Sequence, residues 1–228
     1  MKPAFTFLFK VVLMVLIWTL LWRAFTANLS EIANLSVIFA GPLLVVPIVL
    51  LGRRQLARRH HANSAAWTTT FVHAALMLPF GVPMVRALAT HPSWMGWQLP
   101  MPPQFGLALV VVTGLAFIVV VLNLALRGLG APFFIALSRR LAADWLYAWT
   151  RNPMVLAGVA LLVSLGIWFR SALFVAWAVA VFTPALLFFV KLYEEQELEI
   201  RFGTPYLEYK RRTPMLFPRR PVVRPQSR

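Results

Sequence analysis

The sequence predicts an all-α membrane protein: a polytopic bundle of about six transmembrane helices with a cytoplasmic helical cap at its carboxyl-terminal end. Three observations lead to this prediction. Of the 228 residues, 60% are hydrophobic, only 13% are charged, and six apolar stretches approach the length of a membrane span. A soluble domain carries about a quarter charged residues. A chain of this length and composition must cover much of its apolar surface with lipid.

The six apolar stretches can be compared with the roughly 20 helical residues that cross a bilayer. They cover residues 5–26, 35–51, 67–89, 105–126, 153–169 and 171–192. The second stretch is short and contains Gly41, Pro42 and Pro47, so it is expected either to tilt little or to be kinked. Only Arg170 separates the fifth stretch from the sixth, so these two helices are expected to form a tight hairpin.

The basic residues predict the orientation of the bundle. Most of the 22 Lys and Arg residues lie in the loops at 52–66 and 127–152 or in the tail after residue 192, and six spans place these segments on one side. Basic loops near spans remain in the cytoplasm. We therefore expect both termini to be cytoplasmic, in a bacterial inner membrane. Three arginines fall at the opposite helix ends: Arg23, Arg86 and Arg170.

The composition excludes several kinds of site. With no cysteine, the chain has no disulfide, thiolate metal site or cysteine nucleophile. The spacing of the four histidines, at positions 60, 61, 73 and 91, predicts no metal site. A net charge of +15 would suggest a nucleic-acid partner in a soluble protein, but here its placement follows membrane orientation, so no such partner is expected.

Acidic residues are crowded where the sixth stretch ends. Four of the seven fall within six positions: Glu194, Glu195, Glu197 and Glu199. Glu197 and Arg201 are spaced i,i+4, which favours ordinary ion pairing on a solvated helix face for Glu197 and Glu199. Glu194 and Glu195 lie closer to the bilayer, where an ionisable group is costly and usually functional.

The segment after these acids predicts the cap. Gly203 suits the left-handed position that ends a helix, and Thr204-Pro205 suits the start of the next one. A short amphipathic helix over 205–212 is expected to follow, with its tyrosines at the level of the lipid headgroups. Residues 219–228 are rich in Pro and Arg and are expected to form a basic, disordered tail.

Three motifs occur in order, each at the basic end of a predicted span. They are Gly128-Leu-Gly130, Tyr147-Ala-Trp-Thr-Arg-Asn-Pro-Met154, and the segment from Lys191 to Pro218 that begins Lys-Leu-Tyr-Glu-Glu. Together they resemble the isoprenylcysteine carboxyl methyltransferase and phospholipid methyltransferase families over about residues 105–218. The chain differs from the pattern of these families at Trp145, where they carry glycine, and at Val155 and Ala157.

The resemblance implies methyl transfer from S-adenosylmethionine to a lipid or lipid-linked acceptor. It implies a cofactor site made of Gly128, Gly130, Tyr147, Arg151, Asn152, Pro153, Glu194 and Glu195. Arg151, which we also assign to catalysis, suits the carboxylate of the cofactor, whereas Glu194 or Glu195 suits its ammonium and hydroxyl groups. The glycines would allow close approach of the backbone. No metal is implied.

Plainer interpretations accompany each motif. Gly-x-Gly in an apolar helix is usually a packing feature, and Arg151 could serve only orientation, with Pro153 starting a helix. The acceptor is open between an isoprenylcysteine carboxylate and a phospholipid amine, and so is O- versus N-methylation. The alternative function is a non-catalytic scaffold or transporter subunit. Residues 1–90 form a three-span module whose role, in dimerisation, substrate guidance or scaffolding, is also open.

Overall fold

The computed structural model describes residues 3–58, 62–91, 97–128 and 140–221. Regular structure within these ranges is helical, and the one β-type contact there is an isolated antiparallel bridge between Gln98 and Ser171. The predicted all-α fold class is therefore confirmed. The positions of Gly130 and most of the basic tail lie outside the described residues.

The first half of the described chain forms five helices. These are α1 (Pro3–Thr26), α2 (Glu31–Ala40), α3 (Val45–Ala57), α4 (Ala62–Thr90) and α5 (Pro103–Asn123). A 3₁₀ turn over Gly41–Leu44 joins α2 to α3, and a π-helical turn over Leu124–Gly128 extends α5.

The second half consists of shorter helices. These are α6 (Leu146–Trp149), α7 (Pro153–Trp168), α8 (Ala172–Trp177), α9 (Thr183–Phe189), α10 (Glu195–Phe202) and α11 (Thr204–Arg212). π-helical turns over Ala178–Phe182 and Val190–Glu194 join α8, α9 and α10 into one continuous helix.

Five helices in the described ranges are long and apolar enough to cross a membrane. They are Phe7–Thr26, Glu31–Ala57, Ala65–Thr90, Pro103–Gly128 and Ala172–Phe202. The predicted fifth span is the shorter helix α7, whose 16 residues extend about 24 Å. The predicted hairpin around Arg170 is confirmed, because its left-handed backbone (φ 59°) turns the chain directly from α7 into α8.

The predicted kink in the second span is also present. The 3₁₀ turn lies at Gly41–Leu44, where Pro42 interrupts the α-helical hydrogen bonding. Gly41 lies against α4, and a Cβ atom added to it would come within 2.5 Å of the Pro83 ring. The continuous helix Glu31–Ala57 is longer than predicted, because its ends extend beyond the apolar core of the segment.

The amino-terminal helices pack directly on the helix that carries the acidic cluster. One hydrophobic core joins residues of α3 and α4 to the end of α9 and the π turn after it; its members include Val45, Val49, Val72, Leu76, Phe189 and Tyr193. A Cβ atom added to Gly52 of α3 would lie 2.7 Å from the Val72 side chain and 2.8 Å from the Tyr193 ring. The backbone of α3 therefore comes close to both α4 and Tyr193.

Arg86 stabilises the opposite end of the bundle. Its side chain is buried, donates from Nε to Asn34 Oδ1 at 2.8 Å, and donates from Nη1 to the carbonyls of Ala24 and Ala27 at 2.8 Å each. The last carbonyls of a helix lack partners within the helix, so Arg86 satisfies the end of α1. At this end, Leu99 N–H also donates to the Arg170 carbonyl at 2.9 Å.

Candidate functional site

A buried ion pair lies at the other end of the bundle, which we call the basic end: the carboxyl ends of α3 and α5, the start of α7, and α10 with α11. Arg151 Nη2 lies 2.6 Å from Glu195 Oε1, and each side chain is 9% exposed. Lys210 Nζ lies 2.7 Å from Glu195 Oε2. Arg151 also donates from Nη1 to the Lys210 carbonyl at 3.2 Å. One buried carboxylate thus holds two cations.

Local backbone geometry places Arg151. Pro153 starts α7, and Asn152 before it lies outside the helical conformation (φ −127°, ψ 56°), as steric contact with a following proline favours. The Arg151 N–H donates to the Pro214 carbonyl at 2.9 Å, and Asn152 Nδ2 donates to the Met215 carbonyl at 2.9 Å. The segment after α11 therefore lies against this turn, and the Asn152 amide holds it there.

Glu194 and Glu195, which we call the acidic pair, lie where a π-helical turn meets α10. Val190–Glu194 forms this turn, and Glu195 is the first residue of α10. π turns inside α-helices are rare and frequently lie at functional sites. The Tyr193 hydroxyl lies 3.2 Å from Thr69 Oγ1 of α4, and both residues are fully buried. The amino-terminal helices thus determine where the turn lies.

Glu194 differs from its neighbour. Its side chain is half-buried, and in the described part of the chain its carboxylate has no hydrogen-bond or ion-pair partner. Its charge acts on Tyr147, whose pKa is raised first by burial and second by Glu194. Tyr147 is therefore a neutral hydrogen-bond donor near neutral pH. The Tyr147 carbonyl accepts a hydrogen bond from the Tyr209 hydroxyl at 2.7 Å, which connects α6 to α11.

The interpretation of Glu197 as a solvated residue is wrong, although its predicted pairing is correct. Arg201 Nη1 lies 2.7 Å from Glu197 Oε1, but Glu197 is only 2% exposed. It is buried because α10 packs against α4. Glu199 agrees with its prediction: it is 36% exposed and lies 2.8 Å from Lys210 Nζ.

The cap helix α11 covers the ion pair. Tyr206 and Tyr209 are buried in the protein, at 1% and 2% exposure, and their predicted position at the level of the lipid headgroups stays a prediction. They pack inward because α11 folds back on α10 and α6. Burial alone would lower the pKa of Lys210, but hydrogen bonds to Glu195 and Glu199 outweigh it and raise that pKa.

Helix α11 begins one residue earlier than expected. Thr204 is the first residue of α11 rather than its N-cap residue, and Gly203 occupies the N-cap position. Gly203 has φ 57° and ψ −134°, so the predicted positive φ is confirmed. This conformation is accessible mainly to glycine, because a side chain would collide with the neighbouring backbone.

Several buried polar atoms at the basic end have no hydrogen-bond partner in the described part of the chain. They are Asn123 Nδ2, Arg151 Nε and Gln196 Oε1. Each such group costs about 1–3 kcal/mol, and native proteins contain few of them. The set includes two donors and one acceptor. It therefore suits a ligand that carries both kinds of polar group.

Two cavities lie near α6, one lined in part by α6 itself and the other lined by residues that precede it in the chain. A cleft of about 310 Å³ is mostly apolar and is lined by Val120, Leu146, Trp149, Thr150, Pro153, Leu156, Ala157 and Pro218. A second cavity of about 420 Å³ is polar and is lined by Leu126, Arg127, Arg140, Leu141, Ala143 and Asp144. The apolar cleft includes Pro153 of the second sequence motif. The polar cavity includes Arg127, which directly precedes Gly128 of the first motif.

The structure brings most predicted site residues together, but not all of them. Six lie at the meeting point of α6, α7, α10 and α11: Tyr147, Arg151, Asn152, Pro153, Glu194 and Glu195. Gly128 is buried at the end of α5, where its carbonyl accepts from the Arg140 N–H at 3.0 Å. Among the described residues, no hydrogen bond or ion pair joins Gly128 to Arg151 or Glu195.

Sequence reasoning missed three residues of this region: Asn123, Gln196 and Lys210. A signal existed for Asn123, since a polar residue in an apolar span usually has a function. No sequence signal identified Lys210, because its contact with Glu195 depends on how α11 folds back on α10.

Comparison with known proteins gives one family. The family model described as phospholipid methyltransferase matches residues 102–204. This match confirms the predicted family resemblance for that segment, which contains all eight predicted site residues. Comparisons with curated proteins and with solved structures find no match.

Proposed function

We propose that this multi-pass membrane protein, whose residues 102–204 carry the phospholipid methyltransferase pattern, transfers a methyl group from S-adenosylmethionine to a lipid or lipid-linked acceptor. The observation that carries the proposal is the buried Arg151–Glu195–Lys210 cluster, which lies at the end of the bundle beside unpaired polar atoms. Isolated structural ion pairs normally leave no such atoms.

The side chains of the cluster fit the proposed cofactor. S-adenosylmethionine supplies a methyl group activated on a sulfonium when it is bound. Arg151 Nε is an unused donor for a carboxylate, and the Glu194 carboxylate and Gln196 Oε1 are unused acceptors for an ammonium or hydroxyl group. Arg151 would bind and orient the cofactor, and the Glu195 carboxylate with the Lys210 carbonyl would hold the Arg151 guanidinium in place.

The chain's contribution to the reaction is positioning and exclusion of water. Methyl transfer requires an aligned acceptor and a dry site, and no side-chain nucleophile. The buried tyrosines of α11 lie beside Arg151 and Glu195, whose side chains are largely excluded from solvent, whereas Lys210 is partly exposed. The apolar cleft beside Pro153 suits the hydrocarbon chain of the acceptor. The proposal includes both acceptor classes, so the methylated atom is either a carboxylate oxygen or an amine nitrogen.

Binding and transfer can be measured on the same preparation. Calorimetric titration of the detergent-purified full chain with S-adenosylmethionine should give saturable binding. Methyl-labelled cofactor should transfer label to a membrane lipid extract, and label that base releases would identify a methyl ester rather than an N-methyl group. Binding without transfer would support the non-catalytic alternative, and absence of binding would remove the cofactor site.

We further propose that the basic end faces the cytoplasm of a bacterial cell, with both termini there. Because the chain has no cysteine, single introduced cysteines give an unambiguous test. Arg58→Cys and Arg220→Cys should react only with a membrane-permeant reagent, whereas Gln98→Cys at the opposite end should react with an impermeant one. Impermeant labelling of either Arg58→Cys or Arg220→Cys in intact cells would contradict this orientation.

The roles of the three segments follow from the same proposal. Residues 105–218 would form the methyltransferase core. Residues 1–90 would act as a scaffold, because Gly52, Thr69 and Val72 contact Tyr193 or its immediate surroundings beside the acidic pair. The basic tail, residues 219–228, would lie against anionic lipid at the surface.

A further inference from the structure

Asn123 carries a buried donor that the described part of the chain does not use. It ends α5 and is 2% exposed. Its Oδ1 accepts a hydrogen bond from the Leu146 N–H at 3.3 Å, and its Nδ2 has no partner among the described residues. Rotating the amide would place Nδ2 against the N–H of Leu146, two donors face to face. The unused donor is therefore fixed by the fold.

Asn123 lies on the helix between residues that line the two cavities, although it is not itself a lining residue of either one. Val120, three residues before it, lines the apolar cleft, and Leu126, three residues after it, lines the polar cavity. Three residues correspond to about 4.5 Å along a helix. On the opposite wall, Leu146 lines the cleft and Asp144 lines the polar cavity. Along the helix, Asn123 is therefore located between the residue that lines the apolar cleft and the residue that lines the polar cavity.

The polar cavity has cationic groups available for a ligand. Arg127 contacts Asp144 only at 3.5 Å, with side chains 45% and 53% exposed, and exposed pairs of this kind contribute little. The Arg127 guanidinium also lies 5.0 Å from the centre of the Trp145 ring. Arg140 is exposed, and its side chain has no ion-pair partner in the described ranges. Among the described lining residues, two arginines against one aspartate give a net positive charge.

We propose that Asn123, Arg127 and Arg140 recognise the anionic oxygen group, phosphate or carboxylate, of a membrane amphiphile whose hydrocarbon chain occupies the apolar cleft. Guanidinium groups suit both anions, and basic pockets between helices at a membrane surface bind anionic headgroups. Asn123 Nδ2 donates to an oxygen where headgroup and chain meet. The inference rests on the proposed function, because the amphiphile would be the methyl acceptor, and these residues determine acceptor specificity.

Lipid binding to the full chain tests this site. The protein, in phosphatidylcholine nanodiscs, is titrated with dioctanoyl phosphatidic acid, N-acetyl-S-farnesylcysteine or neutral dioctanoylglycerol, and bound probe is measured by native mass spectrometry. We expect the wild type to bind at least one anionic probe about tenfold or more tightly than the neutral one. Which anionic probe binds better distinguishes a phosphate source from a carboxylate source.

Variants assign the binding to these residues. Arg127→Gln with Arg140→Gln should abolish the preference for the anion, and Asn123→Leu should weaken probe binding about tenfold. Asn123→Asp, which keeps the acceptor for Leu146 and removes the donor, should behave like Asn123→Leu. Arg58→Gln, which removes one charge from the same end away from the cavity, should match the wild type.

Two outcomes would overturn the site: equal wild-type affinity for the anionic and neutral probes, or an unchanged anionic preference in the double arginine variant. Titration with S-adenosylmethionine on the same samples separates this inference from the proposed function. Wild type that binds an anionic probe selectively but does not bind the cofactor would contradict only the methyltransferase proposal. Wild type that binds the cofactor without selecting an anion would contradict only the headgroup site.

Discussion

Arg151 Nη2 and Glu195 Oε1 form a 2.6 Å ion pair in which both side chains are nine-tenths buried. The pair connects the turn before α7 to the first residue of α10, so two helices distant in sequence are held at one point. Removing a single member of a buried pair leaves an uncompensated charge. Substitutions at these two positions should therefore have measurable effects on both stability and ligand binding.

Arg151→Lys should lower affinity for S-adenosylmethionine about tenfold or more while the protein remains folded. Lysine keeps the charge but lacks the planar fork that contacts Glu195, the Lys210 carbonyl and a ligand together. Calorimetric titration measures the affinity, and Arg58→Lys serves as the control. A folded Arg151→Lys protein with wild-type affinity would leave Arg151 with an orientation role only.

Glu194→Gln and Glu195→Gln should have different effects. Glu195→Gln leaves Arg151 and Lys210 without their shared carboxylate and should destabilise the protein by about 3 kcal/mol or less, since Lys210 is partly exposed. Glu194→Gln removes no internal partner and should change stability by less than about 0.5 kcal/mol.

Both substitutions should weaken cofactor binding about tenfold. Thermal unfolding in detergent and cofactor titration measure the two quantities on the same samples. If both variants bind the cofactor with wild-type affinity, Glu194 and Glu195 have only a structural role. If the two substitutions destabilise the protein equally, the two carboxylates do not differ in environment.

Gly52→Ala should destabilise the protein by about 1–3 kcal/mol, because the new Cβ must displace Tyr193 or Val72. It should also weaken cofactor binding, since Tyr193 directly precedes Glu194. Gly114→Ala is the matched control: its Cβ would meet only Leu161, at 4.0 Å. Loss of stability in Gly52→Ala with unchanged cofactor affinity would show that residues 1–90 do not position the site.

Trp145→Gly should be more stable than Trp145→Ala by about 1 kcal/mol. Trp145 has φ 51° and ψ −121°, a conformation that costs energy for any residue with a Cβ atom. Both substitutions remove the ring contact with Arg127, so only the backbone preference separates them. Glycine normally lowers stability relative to alanine. If thermal unfolding shows that Trp145→Gly is less stable than Trp145→Ala, the backbone at this position is not strained.

The sequence by itself determined the membrane class, the helical fold and the segment that carries the family pattern. A membrane span requires about 20 consecutive apolar residues, and this one-dimensional property can be counted directly. The kink near Gly41, the hairpin at Arg170 and the positive φ of Gly203 were predictable for the same reason, since each depends on residues adjacent in the chain. Motif order then identified the family pattern in residues 102–204.

Only the tertiary structure decided which side chains meet. Three findings depend on contacts between different helices. They are the contact between Glu195 and Lys210, which forms because α11 folds back on α10, the burial of Glu197 and the unpaired donor of Asn123. The π turn over Val190–Glu194 also changes which face of the helix each following acid occupies. Because ordinary helical spacing assumes 3.6 residues per turn, it could not assign Glu194, Glu195 and Glu197 to their different environments.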